Sequence, residues 1–153
     1  MKYIALLLVF VSLVLNAEQE SVIGYSSGAC EGFCPVYEIL LFDDDLMILD
    51  ARRNLKINGI HRIQVEKGTF AQVKKYLQKA KYKKYATFYS IENENNCKYL
   101  ALDSPVKTIR FVKKGSSKAI KHNLGCRGFP REDVLRELQR NIEEILLKPY
   151  LKT

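Results

Sequence analysis

Apolar and polar residues alternate along several short stretches of the chain, and this alternation predicts β-strands. The expected strands cover residues 22–25, 36–42, 46–49, 106–112 and 118–124. The strand over 36–42 is apolar on both faces except at Glu38, so we expect it inside a sheet and not at its edge. Residues 55–65 alternate loosely around Asn58 and Gly59, which predicts a strand, a turn and a strand edge.

Two other stretches repeat apolar residues every three or four positions, which is the spacing of one helix face. The first stripe is Phe70, Val73, Leu77 and Ala80, and Thr69 is the predicted N-cap. The second helix is expected to begin at Pro130 and to end before Pro149, with the apolar stripe Val134, Leu135, Leu138, Ile142, Ile145 and Leu146. Strands joined to two one-sided helices predict an α+β domain, a mostly antiparallel sheet packed with two helices in two layers.

Residues 1–17 have the pattern of a secretion signal. Lys2 supplies the charged start, and residues 3–15 are apolar but shorter than the ~20 residues of a membrane-spanning helix. We expect cleavage after Ala17 and export to the periplasm or the medium, which leaves residues 18–153 as a single domain without a transmembrane segment. Retention of the segment as an uncleaved anchor is the alternative.

Four cysteines in an exported chain favour two disulfides, because oxidising compartments allow them. We favour Cys30–Cys34 together with Cys97–Cys126, since the first pair closes a short loop containing Gly32. A bond from Cys30 or Cys34 to Cys126 is the alternative. Both pairings make the domain disulfide-stabilised.

Cys30 and Cys34 also raise the hypothesis of a thiol–disulfide redox protein. Such enzymes place Cys-x-x-Cys at a helix N-terminus, where the helix dipole lowers the pKa of a thiol. Here the spacing is Cys-x-x-x-Cys, a strand follows, and Glu31 lies between the two cysteines. The pattern therefore favours a structural bond, and redox chemistry stays the alternative function.

The net charge is +8, and lysines concentrate in residues 74–85, KKYLQKAKYKKY. We take Lys74, Lys75, Lys81, Lys83 and Lys84 as a candidate surface for anionic ligands. Envelope polymers, lipid head groups and nucleic acid all carry the required charge, but export makes nucleic acid an improbable partner. Another exported protein is a further possible partner, including a hydrolase that the chain would inhibit.

Catalytic and cofactor motifs are absent from the sequence. No Gly-x-Ser-x-Gly elbow and no Gly-rich phosphate loop before a helix occurs. Asp43, Asp44 and Asp45 are adjacent, but they suit a hairpin turn better than a calcium loop. His61 and His122 each stand beside a basic residue, which favours strand-surface positions. We therefore expect no catalytic residues, no metal and no cofactor, and a non-catalytic binding or structural module.

The motif Gly-x-Cys-x-Gly-x-Cys-Pro-x-Tyr resembles that of an uncharacterised bacterial family, domain of unknown function 6438. The motif residues here are Gly28, Cys30, Gly32, Cys34, Pro35 and Tyr37, with Gly59, Leu102, Asp103 and Pro105 later in the chain. The resemblance covers residues 22–146 and implies export and a common fold, but no activity. One departure is the first hairpin, where the family usually has Asp-Gly and this chain has Asp44-Asp45.

Overall fold

The computed structural model describes residues 21–90 and 97–152. The expected secretion signal lies outside these residues. The strands are β1 (Val22–Ser27), β2 (Val36–Phe42), β3 (Leu46–Arg53), β4 (Gly59–Gln64), β5 (Phe88–Tyr89), β6 (Tyr99–Leu100), β7 (Val106–Lys113), β8 (Ser116–Asn123) and β9 (Cys126–Arg127). The helices are α1 (Thr69–Lys79) and α2 (Glu132–Leu146), with short 3₁₀ helices at Tyr82–Lys84 and Lys148–Tyr150.

Seven of these strands form one sheet in the order β4-β3-β2-β1-β7-β8-β5. All neighbours are antiparallel except β5, which pairs with β8 in parallel. β6 and β9 form a separate antiparallel pair. The predicted α+β class and the interior position of β2 are both confirmed.

The hydrophobic core lies between the two helices and one face of the sheet. Residues of that sheet face alternate along each strand, and Ile23, Ile39, Leu49, Ile109 and Ile120 are at most 1% exposed. The predicted helix stripes meet them, since Phe70, Val73, Leu77, Leu135, Leu138, Ile142 and Leu146 are buried. Burial of one face per element is what the period of each pattern requires.

The start of α1 differs from the prediction. Gly68, with φ 91°, is the N-cap, and Thr69 is the first helical residue, whose hydroxyl donates to the Glu66 carbonyl at 2.6 Å. The capping carboxylate comes from the β2–β3 turn: Asp45 accepts from the N–H of Gly68 and from the N–H of Phe70, each at 2.7 Å. A distant side chain therefore satisfies N–H groups that a local Thr was expected to satisfy.

The three adjacent aspartates occupy the hairpin turn, as predicted. The Asp43 carboxylate accepts from the Ser21 N–H and the Asp44 carboxylate accepts from the Leu46 N–H, both at 3.0 Å. Asp45 has φ 63°, the left-handed conformation that a three-residue hairpin loop needs at its last position. This position explains the departure from Asp-Gly: aspartate tolerates the conformation and also caps α1.

Some boundaries were wrong. Leu55 forms an isolated bridge with Leu151, so residues 55–58 do not form the expected strand. Arg131, not Pro130, immediately precedes α2. The other end agrees with the prediction, since α2 ends at Leu146, before Pro149, which lies in the second 3₁₀ helix. Neither helix within 21–90 and 97–152 is long and apolar enough to cross a membrane.

Candidate functional site

The predicted lysine surface lies where α1 ends and the chain turns towards β5. Lys81 has φ 50° and reverses the chain, and its carbonyl accepts from the Lys84 N–H at 2.9 Å. Tyr82 and Tyr85 point into the core, at 8% and 3% exposure. Because the tyrosines take the inward positions, Lys81, Lys83 and Lys84 are left exposed to solvent.

Four of the five predicted lysines line a surface depression of about 500 Å³. We call it the basic cleft. Its walls are Lys74, Lys81, Lys83, Lys84 and Lys113, with Gln78, and its apolar floor is Leu77, Tyr82 and Phe111. Lys75 is exposed on α1 but does not line this depression. The structure thus brings most of the predicted set together and separates one member.

Among the described residues, no carboxylate lines the basic cleft to compensate its charge. Within the described part of the chain, none of the five wall lysines is in an ion pair. Five ammonium groups around one depression create a positive potential that attracts anions.

Lys113 was missed from the sequence, although it contributes a wall of the cleft. It is the last residue of β7, far along the chain from Lys74 of α1. Phe111 of the same strand packs edge-on against Tyr82, with ring centroids 5.8 Å apart, and this contact brings Lys113 to the cleft. No spacing rule predicts this contact. The alternation of β7 does place Phe111 and Lys113 on one face, which was the available signal.

Arg131 joins the end of α1 to the beginning of α2. Its guanidinium donates to the Ala80 carbonyl at 2.5 Å and lies 4.9 Å from the centre of the Tyr85 ring. The Tyr85 hydroxyl donates to the Arg131 carbonyl at 3.2 Å. Burial raises the pKa of Tyr85, so this hydroxyl stays protonated and acts as a donor. These contacts hold the lysine-bearing turn in place.

The two disulfides are Cys30–Cys34 and Cys97–Cys126, which is the pairing favoured from the sequence. No free cysteine is found among the described residues. Cys30–Cys34 closes the β1–β2 connection and leaves Phe33 94% exposed. The Asn54 side-chain amide donates to the Cys34 carbonyl at 3.1 Å. Because β2 follows, the bond lacks the helix N-terminus that activates thiols in redox enzymes.

Cys97–Cys126 joins the segment just before β6 to β9, so it cross-links the two strands of the small β6–β9 pair. Cys126 is fully buried, and the main chain of Leu100 pairs with it across the two strands. Gly125 precedes it, and a Cβ there would meet the Ala101 carbonyl oxygen at 1.9 Å. The two backbone segments next to this disulfide are therefore in close contact, and the bond lies in a tightly packed part of the domain.

A polar cluster in the core was not foreseen. One oxygen of Glu143, Oε1, accepts from the hydroxyls of Tyr25 at 2.8 Å and Tyr37 at 3.0 Å and pairs with Lys107 Nζ at 2.5 Å. Burial raises the pKa of Tyr25, and electrostatic repulsion from Tyr37 and Glu143 raises it further. Burial and then Glu143 raise the pKa of Tyr37. Both hydroxyls therefore stay protonated and donate to Glu143, so the cluster links α2 to the sheet.

The surface position expected for His122 is wrong, since its exposure is 0%. Its Nδ1 lies 3.2 Å from Gln139 Oε1 and its Nε2 lies 3.4 Å from the Cys126 carbonyl. Tyr89 and Phe129 contact the ring edge-on. Burial lowers the pKa of His122. His61 lies in β4 and contacts the Asn58 carbonyl at 2.9 Å, on the exposed side.

No group of three or more His, Cys, Asp or Glu side chains in residues 21–90 and 97–152 is arranged to hold a metal ion. The fold and the basic cleft together define a small, disulfide-bonded α+β domain with a positively charged surface depression. The chain belongs to the family described as "Domain of unknown function (DUF6438)", whose model matches residues 21–146. This confirms the resemblance. No curated protein matches the chain.

Proposed function

We propose that this chain is an exported, non-catalytic binding module of the cell envelope, and that the basic cleft holds an anionic ligand. The secretion-signal pattern of residues 1–17 supports the exported location. The observation that carries the binding role is the gathering of Lys74, Lys81, Lys83, Lys84 and Lys113 around one depression without a lining carboxylate.

The floor of the cleft strengthens the case for a ligand over a merely solvated surface. Leu77 and Tyr82 are 1% and 8% exposed, and Phe111 is half-buried beside them. Small-molecule sites combine such apolar floors with a few polar groups at the rim. A flat charged surface would attract counterions without selecting among them.

A charge-matched comparison tests the proposal. The cleft variant carries Lys83→Gln, Lys84→Gln and Lys113→Gln. The control carries Lys56→Gln, Lys67→Gln and Lys121→Gln, three exposed lysines outside the cleft. Both variants lose the same net charge, and all six side chains are exposed.

The measurement is the salt concentration at which each protein elutes from carboxylated and phosphorylated matrices. We expect the cleft variant to elute well before the control, because its charges converge on one site. Equal elution of the two variants would show that retention reflects net charge alone, and the proposed site would be abandoned.

Redox use of Cys30 and Cys34 stays the alternative function. Titration with glutathione buffers tests it directly. A redox pair exchanges near the potential of known oxidants, whereas a structural bond resists reduction while the fold is intact.

A further inference from the structure

The basic cleft continues into two neighbouring depressions. One, of about 520 Å³, lies between α1 and α2 and shares Lys81 and Lys84 with the cleft. The other, of about 440 Å³, reaches the β7–β8 hairpin and shares Tyr82, Lys83, Phe111 and Lys113 with it. We call the three depressions together the groove.

The length of the groove selects the shape of its occupant. It leads from Val134 and Leu138 of α2, past the α1 lysines, to Ser116 and Ser117 of β8. A lone phosphate or carboxylate would fill a small part of this path. A chain-like ligand with repeated charges would follow all of it.

Charge is distributed along the groove in the manner that such a chain requires. Lysines line all three depressions. Glu137 is the acidic residue among the described lining residues, and it lies in the depression between the helices. Lysine carries a compact charge on a flexible stem, so it adapts to anions at different positions, whereas arginine favours a fixed planar partner. Arg131 is already committed to the Ala80 carbonyl.

The middle of the groove adds an aromatic element. Tyr82 and Phe111 are perpendicular, at 89°, and Tyr82 is 8% exposed. Single-stranded nucleic acids are held by ring faces on which successive bases stack. The perpendicular pair does not offer two parallel faces, but it provides a low apolar floor for the C–H surface of a sugar ring.

Polar side chains that suit hydroxyl groups stand beside the charged ones. Gln78 lines the middle depression, Asn141 lines the one between the helices, and Ser116 and Ser117 line the one at the hairpin. These groups both donate and accept hydrogen bonds. A ligand made of charge alone, such as polyphosphate, offers acceptors but no donors, so it would leave the acceptor oxygens of these side chains unused.

We propose that the ligand of the groove is a linear anionic glycan, with its acidic groups at the lysines and a sugar ring over Tyr82 and Phe111. This inference rests on the proposed function, because it names the ligand class of the same site. It requires that both the ring and the charge of the ligand contribute to binding.

The test measures the affinity of the full exported domain for carboxylated glycan oligomers of increasing length. Polyphosphate and oligothymidylate of matched charge are the comparison ligands. We expect glycan affinity to rise with length until the groove is filled and then to level off. At equal charge, the glycan should bind more tightly than polyphosphate and oligothymidylate.

Phe111→Leu and Phe111→Tyr form a matched pair, since the first removes the ring and the second retains it. We expect Phe111→Leu to weaken glycan binding by roughly fivefold and to leave polyphosphate binding unchanged. Phe111→Tyr should bind the glycan as the parent does. Thermal unfolding of both variants checks that the fold is intact.

The outcomes separate this inference from the proposed function. Equal binding of glycan and polyphosphate, with no effect of Phe111→Leu, would overturn the glycan and leave an anion-binding cleft. Tighter binding of oligothymidylate would also overturn it and assign the groove to nucleic acid. Failure of every polyanion to distinguish the cleft variant from its charge-matched control would overturn both.

Discussion

Removing Cys97–Cys126 should destabilise the domain much more than removing Cys30–Cys34. The sequence separation is 29 residues for the first bond and 4 for the second. Cross-linking restricts the unfolded chain by an amount that grows with the logarithm of loop length. The resulting contributions are about 3.6 kcal/mol for the long loop and about 2 kcal/mol for the short one.

Burial widens the difference between the two bonds. Cys126 is fully buried, so replacing it with alanine also leaves unfilled volume in the core. Cys30 and Cys34 are half-buried in a surface connection. A loss of about 3.6 kcal/mol is a large fraction of the 5–15 kcal/mol typical of a folded domain.

The assay compares Cys97→Ala/Cys126→Ala with Cys30→Ala/Cys34→Ala by urea unfolding. The chain has nine tyrosines and no tryptophan, so far-ultraviolet circular dichroism and tyrosine fluorescence are the probes. The urea dependence should steepen more for the long loop, because its unfolded chain expands more. Equal losses, or a larger loss for the Cys30–Cys34 variant, would refute the loop-closure reasoning.

Three other predictions follow from single side chains. Glu143→Gln should lower the free energy of unfolding by about 2–3 kcal/mol, because a charged acceptor of three donors is lost. The control Glu144→Gln, at an exposed site, should change the free energy of unfolding little, and similar losses in the two variants would contradict the structural role given to Glu143. Asp45→Asn should cost about 1 kcal/mol by urea unfolding, since one of the two α1 N–H groups loses its acceptor, whereas Asp44→Asn should cost less. Burial lowers the pKa of His122 in the native state, so unfolding takes up a proton. The contribution of His122 to the free energy of unfolding is therefore complete above the unfolded pKa of about 6.5, and it falls as the pH drops towards the native pKa. A native pKa at or above 6.5, measured by NMR, would refute this prediction.

Periodicity predicted most of the fold because each element buries a single face. The α1 stripe of Phe70, Val73 and Leu77 was identified correctly, and so were the exact bounds of β2. Burial along an element depends on its own residues, so a single sequence is sufficient to reveal it.

The contacts between distant elements were not predictable in the same way. Lys113 reaches the basic cleft through the packing of Phe111 on Tyr82, and Asp45 reaches α1 from a hairpin. Local spacing contains no information about which turn meets which helix.

His122 is a different kind of failure, because the sequence did contain the signal. Ile120 and His122 are two residues apart in one strand, so they share a face, and Ile120 is buried. The neighbouring Lys121 suggested a surface position, although an adjacent strand residue points to the opposite face. The alternation should have outweighed the charge of the neighbour.

The carboxylate of Asp45 also has a consequence for the order of folding. Its two hydrogen bonds cross 23 and 25 residues, so the cap of the first turn of α1 depends on the β2–β3 turn being in place. A short helix is marginal by itself in water. We therefore expect the hairpin to form early and the helix to follow it. Stopped-flow kinetics should show Asp45→Asn accelerating unfolding more than it slows refolding.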